Sequence, residues 1–154
     1  MSTQATAKDF ASIQVGDVLP KRTWTATKEN MRAFGELIPA RPGNPTRARN
    51  PHLDEEYARS QIYGALFVDG NHTMSLVCQV ATDWLPPGGL LSGHSEVDLK
   101  FPNPCRLGDT LTLGGEVVAK TTENGRDIVT LKMLAESDKG KVVAVGTIAA
   151  HVPR

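Results

Sequence analysis

The sequence has few cysteines, no excess of charge of either sign and no long apolar run. Its 154 residues include two cysteines, neither in a Cys-x-x-Cys pair nor in a Cys/His cluster with zinc spacing. A disulfide scaffold and a zinc module are therefore excluded. The 17 basic residues balance the 17 acidic ones, which removes the electrostatic basis for a nucleic-acid binder or a polybasic membrane protein. No apolar run approaches the roughly 20 residues of a membrane-spanning helix.

The length and composition are those of a single globular domain. Residues 1–10 are small and polar, so we expect a flexible tail there and one domain over residues 11–154. The tail contains no apolar segment of the kind found in secretory signals, and we therefore expect a cytoplasmic protein. A net charge of zero gives little colloidal repulsion and mildly favours an oligomer.

The first half of the chain predicts a strand, two helices and an irregular loop. Residues 21–25 alternate as in a strand. Thr27 is a good N-cap for a helix over residues 28–38. The prolines of residues 39–51 exclude regular structure there. A helix of one or two turns follows over residues 53–59.

The second half predicts one long helix and then only strands. Residues 70–84 are apolar on more than one side, which indicates a mostly buried helix. The following segments alternate as strands over residues 95–101, 110–121, 127–136 and 142–152. Glu123-Asn124-Gly125-Arg126 and residues 138–141 are hairpin turns, and the Gly114-Gly115 pair suggests a bulge or bend. The pattern predicts an α+β fold in which a curved antiparallel sheet wraps around a central helix.

Three stretches carry a resemblance to a known family. Residues 50–58 (NPHLDEEYA) resemble a motif N-P-x-H-x-D-x-x-x-A, and residues 67–76 (FVDGNHTMSL) resemble I-A-H-G-M-L-T-x-x-L. Residues 97–104 with 108–111 resemble the strand and turn F-x-x-P-v-x-x-G-D-t-l. The chain resembles the MaoC-like dehydratase and R-specific enoyl-CoA hydratase family, which implies a hot-dog fold.

The resemblance implies hydration or dehydration at the β-carbon of an acyl thioester, on coenzyme A or an acyl-carrier protein. In this chemistry one Asp and one His manage a water and a proton, without a cofactor or metal. Backbone N–H groups at the start of the central helix hold the thioester oxygen. A helix N-terminus suits this role because its first N–H groups are unpaired and its dipole end is positive.

The chain departs from the family pattern at the acid and base. The family writes the pair as D-x-N-P-x-H, but Ala48 stands at the acid position and His52 follows Pro51 directly. The family's His-Gly pair is Asp69-Gly70 in this chain. One carboxylate has been lost from the expected site and another has appeared beside the predicted helix.

His52 and Asp69 are the candidate catalytic pair. His52 is either the acid or base of the reaction or a surface-loop histidine. Asp69 either supplies the carboxylate that is missing at Ala48 or serves only as the N-cap of the central helix. Asp54 matches the family's second acid, for which we expect a structural role as the cap of the short helix.

The other candidates concern substrate binding. Gly70 would let a thioester approach the helix backbone closely, and Asn71 and Asn50 would offer amide groups. His72 is either a further site residue or a packed or interface histidine. The proline-rich loop contains Arg41, Arg47 and Arg49. Their guanidinium groups either bind phosphates of coenzyme A or of the pantetheine arm, or are merely solvated.

Three functions remain open at this point. The first is a hydro-lyase acting on acyl thioesters with a rearranged Asp/His site. The second is a non-catalytic subunit of a heteromeric hydratase, and the third is an acyl-CoA thioesterase, since fold alone does not decide function. We expect a homodimer or higher homo-oligomer, or a heteromer with another hot-dog subunit. Cys78 is expected in the core, whereas Cys105, next to a turn, is expected at the surface.

Overall fold

The structure, a computed structural model, describes residues 8–37 and 50–152. Its strands and helices are, in chain order, β1 (Arg22–Thr25), α1 (Lys28–Leu37), α2 (Glu55–Ser60), α3 (Gly70–Trp84), β2 (Glu96–Lys100), β3 (Thr110–Glu123), β4 (Arg126–Ser137) and β5 (Val142–Val152).

The five strands form one antiparallel sheet in the order β1-β3-β4-β5-β2. The β3–β4 hairpin closes at Asn124 and Gly125, whose φ angles of 52° and 75° suit a two-residue turn that matches the twist of the strands. The second hairpin joins β4 to β5 through residues 138–141. The predicted α+β architecture, with its hot-dog arrangement of sheet and helix, is confirmed.

Helix α3 packs against β3, β4 and β5. Its buried face includes Val77, Val80 and Ala81, and the strands present Leu131 and Met133 to the same core. Val129 is buried beside them, so the alternation predicted for β4 is confirmed. Inward-facing side chains recur about every 3.6 residues in the helix and every 2 residues in the strands. Burial of these apolar side chains holds the helix on the sheet.

Two details of β3 differ from the sequence prediction. The bulge does not lie at the glycine pair, because the β3–β4 register shifts between Val117 and Ala119. Gly115 instead permits close packing, since a Cβ there would lie 2.6 Å from the Met133 sulfur and 2.8 Å from the Lys132 carbonyl oxygen. Gly114 has more room, with its nearest neighbour 3.4 Å away.

Burial differs from the prediction at three further places. Cys105 was expected at the surface but is 1% exposed, and burial with nearby Asp109 and Asp138 raises its pKa to about 12. Helix α3 is buried along one face only, and Met74 on its other side is 37% exposed. The predicted inner face of β2 is half-buried only at Leu99.

The N-terminal segment joins the packed body before residue 11. Phe10 is partly buried against the core and lies under the Lys120 ammonium group, 4.5 Å from the ring centre. Lys8 forms an ion pair of 2.8 Å with Asp17. Among residues 8–37 and 50–152, no helix combines the length and the apolar character needed to cross a membrane.

Candidate functional site

A tight turn before α2 orients His52. The Asn50 side-chain oxygen accepts the His52 backbone N–H at 2.8 Å, and the Asn50 carbonyl accepts the N–H groups of Leu53 and Asp54. Asp54 then caps α2 by accepting the Tyr57 N–H at 3.0 Å, as predicted. Asn50 therefore positions the His52 backbone, and the cap holds the start of the helix that follows.

Asp69 is the N-cap of α3. Its Oδ1 accepts the Asn71 backbone N–H at 2.8 Å, which satisfies one of the unpaired donors at the helix start. The carboxylate also lies at the positive end of the helix dipole, where negative charge is stabilised. This geometry uses one carboxylate oxygen and leaves Oδ2 for another partner.

That partner is His52. The His52 Nε2 atom lies 3.6 Å from Asp69 Oδ2, and the two side chains are 22% and 24% exposed. The distance is too long for a direct hydrogen bond, and the contact is an ion pair only when the His52 ring is protonated. The structure thus brings together the two residues that the sequence singled out as a pair, in a partly shielded position.

The Phe67 carbonyl fixes which His52 nitrogen faces Asp69. Its oxygen lies 2.8 Å from His52 Nδ1, and because a carbonyl only accepts, Nδ1 carries the proton and donates it. In the neutral ring Nε2 then holds the lone pair. The atom that faces Asp69 is therefore the one that exchanges protons.

An aromatic wall flanks the histidine. The Phe67 ring meets His52 edge-on at 4.6 Å and meets Tyr63 at the same distance on its other side. The Arg106 guanidinium donates to the Tyr63 carbonyl at 2.7 Å, and Arg106 forms a β-bridge with Phe67. These contacts hold the Tyr63–Phe67 side of the site in place beside His52.

His72 lies inside the protein rather than beside His52. Its side chain is 8% exposed, stacked on Phe34 of α1 at 4.2 Å and meeting Trp24 of β1 edge-on at 4.8 Å. Burial lowers the pKa of His72, and the negative charge of Asp69 opposes this shift. The ring joins α1 and β1 to the first turn of α3.

The remaining candidates fall into two groups. Gly70 is exposed and no atom lies within 4 Å of the place a Cβ would take, so its backbone is open to approach. Asn71 is exposed, and its backbone N–H is already bonded to Asp69. The loop arginines, Arg41, Arg47 and Arg49, lie outside the described residues, so their role stays a prediction.

Sequence reasoning missed the contributions of Phe67 and Tyr63. Phe67 acts through its backbone carbonyl, a group that every residue carries, so its identity gave no signal. Tyr63 precedes a glycine, a pattern that by itself indicates only the end of a helix. Both roles depend on where the chain passes after α2.

The sequence matches no protein-family model and no curated protein, but solved structures match closely. A MaoC-like dehydratase from Rhodospirillum rubrum has a TM-score of 0.72 at 27% identity, covering 96% of this chain and 98% of that one. The R-hydratase PhaJ1 from Pseudomonas aeruginosa has a TM-score of 0.72 at 23% identity, covering 95% and 86%. The chain thus shares the hot-dog fold of these structures.

A third match is a chain of the ChsH1–ChsH2 complex from Mycobacterium tuberculosis, with a TM-score of 0.71 at 23% identity over 91% of this chain and 98% of that one. The matches span nearly the whole chain, so the MaoC-like fold includes the turn of His52 and the start of α3. The resemblance found in three sequence stretches is confirmed by this similarity to MaoC-like and R-hydratase structures, and the hot-dog fold with it.

Proposed function

We propose that the protein is a hydro-lyase that adds water to, or removes it from, the β-carbon of an acyl thioester, with His52 and Asp69 as its acid and base. The single observation that carries the proposal is the 3.6 Å approach of His52 Nε2 to Asp69 Oδ2. The R-hydratase and the MaoC-like dehydratase among the similar structures support the same class of reaction.

The pair is suited to hold a water molecule. A water oxygen about 2.8 Å from both Nε2 and Oδ2 would donate a hydrogen to the atom that lacks the mobile proton of the pair and accept one from the atom that carries it. Its remaining lone pair would then be available to a bound substrate. The Phe67 carbonyl keeps the Nδ1 proton engaged, so the exchangeable proton of the ring is confined to Nε2.

The proton balance of hydration follows from this arrangement. The pair carries one mobile proton, on Nε2 or on Oδ2. The member without it takes a proton from water as the water oxygen bonds to the β-carbon, and the other member gives its proton to the α-carbon. One water is added across the double bond, and a proton transfer within the pair restores the starting state. Dehydration is the reverse.

The start of α3 supplies the electrophilic side of the site. As the β-carbon gains oxygen, negative charge develops on the thioester oxygen, and backbone N–H donors stabilise it. The Gly70 N–H lies in the first turn of α3, at the positive end of the dipole. The open space beside Gly70 admits a thioester carbonyl to this position.

The test is a pair of conservative substitutions assayed with a 2-enoyl-CoA, following loss of the ultraviolet absorbance of the conjugated thioester. Asp69→Asn and His52→Ala are each expected to lower kcat by about 10²–10⁴-fold. The double variant should lose little more, because the two groups act as a unit. Asn is itself a good N-cap, so Asp69→Asn keeps α3 capped while it removes the charge.

Controls separate chemistry from folding. Asp83→Asn, on the last turn of α3, and His94→Ala change exposed residues. Each should leave kcat within twofold of the wild-type value, which corresponds to a change of at most about 0.4 kcal/mol in the activation free energy. Circular dichroism should show native folding in all variants. Undiminished hydration in Asp69→Asn would contradict the proposal.

One observation favours a second candidate, a non-catalytic subunit of a heteromeric hydratase. Ala48 replaces the acid that the family motif carries, and a similar chain comes from the ChsH1–ChsH2 complex. A wild-type chain that does not hydrate a 2-enoyl-CoA by itself would support this alternative. Release of free thiol without hydration would instead identify a thioesterase.

A further inference from the structure

Two histidines lie opposite each other on the outer face of the sheet. The β2–β5 register pairs Glu96 with Ala149, and two residues further along this register His94 lies opposite His151. Ala150, the residue before His151, is buried in the core. Because successive side chains of a strand point to opposite faces, His151 points away from that core. The rings of His94 and His151 meet edge-on with their centres 5.5 Å apart.

Ser95 fastens the backbone beside this pair. Its hydroxyl donates to the Gly89 carbonyl at 3.0 Å and accepts the His151 backbone N–H at 3.0 Å. His94 directly precedes Ser95, so one side chain ties the backbone of both histidines together. A ligand set carried by strands and fixed by such contacts keeps its spacing before any ligand binds.

The spacing of the two rings suits coordination of one metal ion. A metal–nitrogen bond of about 2.0–2.1 Å places the ion roughly 3.2 Å from each ring centre. For bond angles between about 90° and 120°, the two ring centres then lie roughly 4.5–5.5 Å apart. The observed 5.5 Å between His94 and His151 lies at the upper end of this range. Small side-chain rotations therefore complete the site, and the backbone need not move.

A second observation is the Nδ1 atom of His151. Among the described residues it is buried and has no hydrogen-bond partner. An unpaired buried polar atom is unfavourable, and a bound ion is one of the ways in which proteins satisfy it. The His94 ring that contacts His151 is exposed, so an ion can approach from solvent as this ring rotates.

The ligand chemistry selects the class of ion. Imidazole nitrogens suit Cu²⁺, Ni²⁺ and Zn²⁺, whereas Mg²⁺ and Ca²⁺ take oxygen ligands. In residues 8–37 and 50–152, no three His, Cys, Asp or Glu side chains form a set that could hold a metal. Water must therefore fill the remaining positions, which makes the site an open and reversible one, unlike a closed structural zinc site.

We propose that His94 and His151 form a two-histidine site for a divalent transition-metal ion, which binds Cu²⁺ more tightly than Ni²⁺ or Zn²⁺. The two residues lie far apart in the sequence and meet only because β2 pairs with β5. The site goes beyond the proposed function, since it uses neither His52 nor Asp69 and holds whether or not the chain is catalytic.

Calorimetric titration of the tag-free chain with NiCl₂ at pH 7.5 tests the site, with one ion per chain expected. Loss of an outer partner of a metal ligand already costs about 10–100-fold in affinity, so loss of a ligand itself should cost at least about tenfold. His94→Asn and His151→Asn should each show this loss, and His52→Asn is the matched control that should keep the wild-type affinity. At pH 5.5 binding should weaken, because ligating imidazoles must be neutral.

Electron paramagnetic resonance of the Cu²⁺-loaded chain gives an independent measurement. Hyperfine splitting from two imidazole nitrogens is expected in the wild type and in His52→Asn, and from one nitrogen in His94→Asn. His94 is exposed, so His94→Asn tests the proposal even if His151→Asn does not fold. Circular dichroism verifies folding of each variant.

Three results would overturn the proposal. The first is a wild-type chain that does not bind Ni²⁺ at millimolar concentration. The second is a wild-type affinity in both His94→Asn and His151→Asn. The third is loss of binding in His52→Asn alone, which would place the ion at the His52–Asp69 pair instead.

Discussion

At the scale of single residues, Asp69 serves two partners with its two oxygens. Oδ1 caps α3 through the Asn71 N–H, and Oδ2 faces His52 Nε2. The capping role and the proposed catalytic role are therefore compatible in one side chain. Capping also fixes the carboxylate, because a carboxylate held by a backbone donor has less freedom to turn away from the histidine.

A pH measurement tests the burial of His72. Its pKa in the folded protein is lowered from 6.5, so below pH 6.5 the unfolded chain binds more protons than the folded one. The contribution of His72 to stability is present above pH 6.5 and is lost as the pH falls below it, with a slope of at most about 1.4 kcal/mol per pH unit. Denaturant unfolding between pH 7 and pH 5 measures this slope.

The variant His72→Gln removes the titration and should flatten the slope below pH 6.5, although its loss of ring packing lowers stability at every pH. A wild-type slope in His72→Gln would show that the buried ring contributes nothing to the pH dependence.

At the scale of elements, β2 is held to β5 by a close backbone approach at Gly146. A Cβ at this position would clash with the Asp98 carbonyl oxygen and would lie 2.9 Å from the Leu99 Cα. These are backbone atoms, which cannot move aside as a flexible side chain does. A glycine is therefore required for β2 to lie in register on β5.

Gly146→Ala is expected to destabilise the protein by about 1–3 kcal/mol, the usual cost of forcing extra atoms into a packed position. Urea unfolding measures the loss, and hydrogen exchange should show reduced protection concentrated in β2. Gly114→Ala is the control, because the nearest atom to its new Cβ, Lys21 Cγ, is 3.4 Å away. Equal losses in the two variants would contradict the role given to the close approach.

At the scale of the whole molecule, one layer of helix covers only part of the sheet. The apolar core lies between α3 and the strands β3, β4 and β5, and the inner side of β2 extends beyond it. A chain of this size has enough core to fold, yet it leaves Val97 and Phe101 exposed. Association with a second subunit, which the sequence analysis expects, would cover side chains that the described residues leave exposed.

If folding and association are coupled in this way, the thermal midpoint depends on protein concentration. For a dimer of 154-residue chains, a tenfold increase in concentration is expected to raise Tm by about 2 °C. Calorimetry over a hundredfold concentration range measures this shift. A wild-type Tm that is independent of concentration would argue against a dimer.

The sequence by itself determined the features that arise from neighbouring residues. The bounds of α3, the Asn124-Gly125 hairpin and the capping oxygens of Asp54 and Asp69 follow from local patterns, because periodicity, turn chemistry and capping act over a few residues. The same patterns predicted the sheet-and-helix architecture. The resemblance of residues 50–58 and 67–76 to the family motifs selected His52 and Asp69 as the candidates of interest, one from each motif.

Only the tertiary structure decided the features that depend on distant segments. The approach of His52 to Asp69, the use of the Phe67 carbonyl and the burial of Cys105 all require the chain to return to one place after α2 and again after β2. The bulge after Val117 likewise depends on how β4 pairs, and not on the glycines within β3. Sequence spacing does not encode such contacts, because they are set by packing of whole elements against one core.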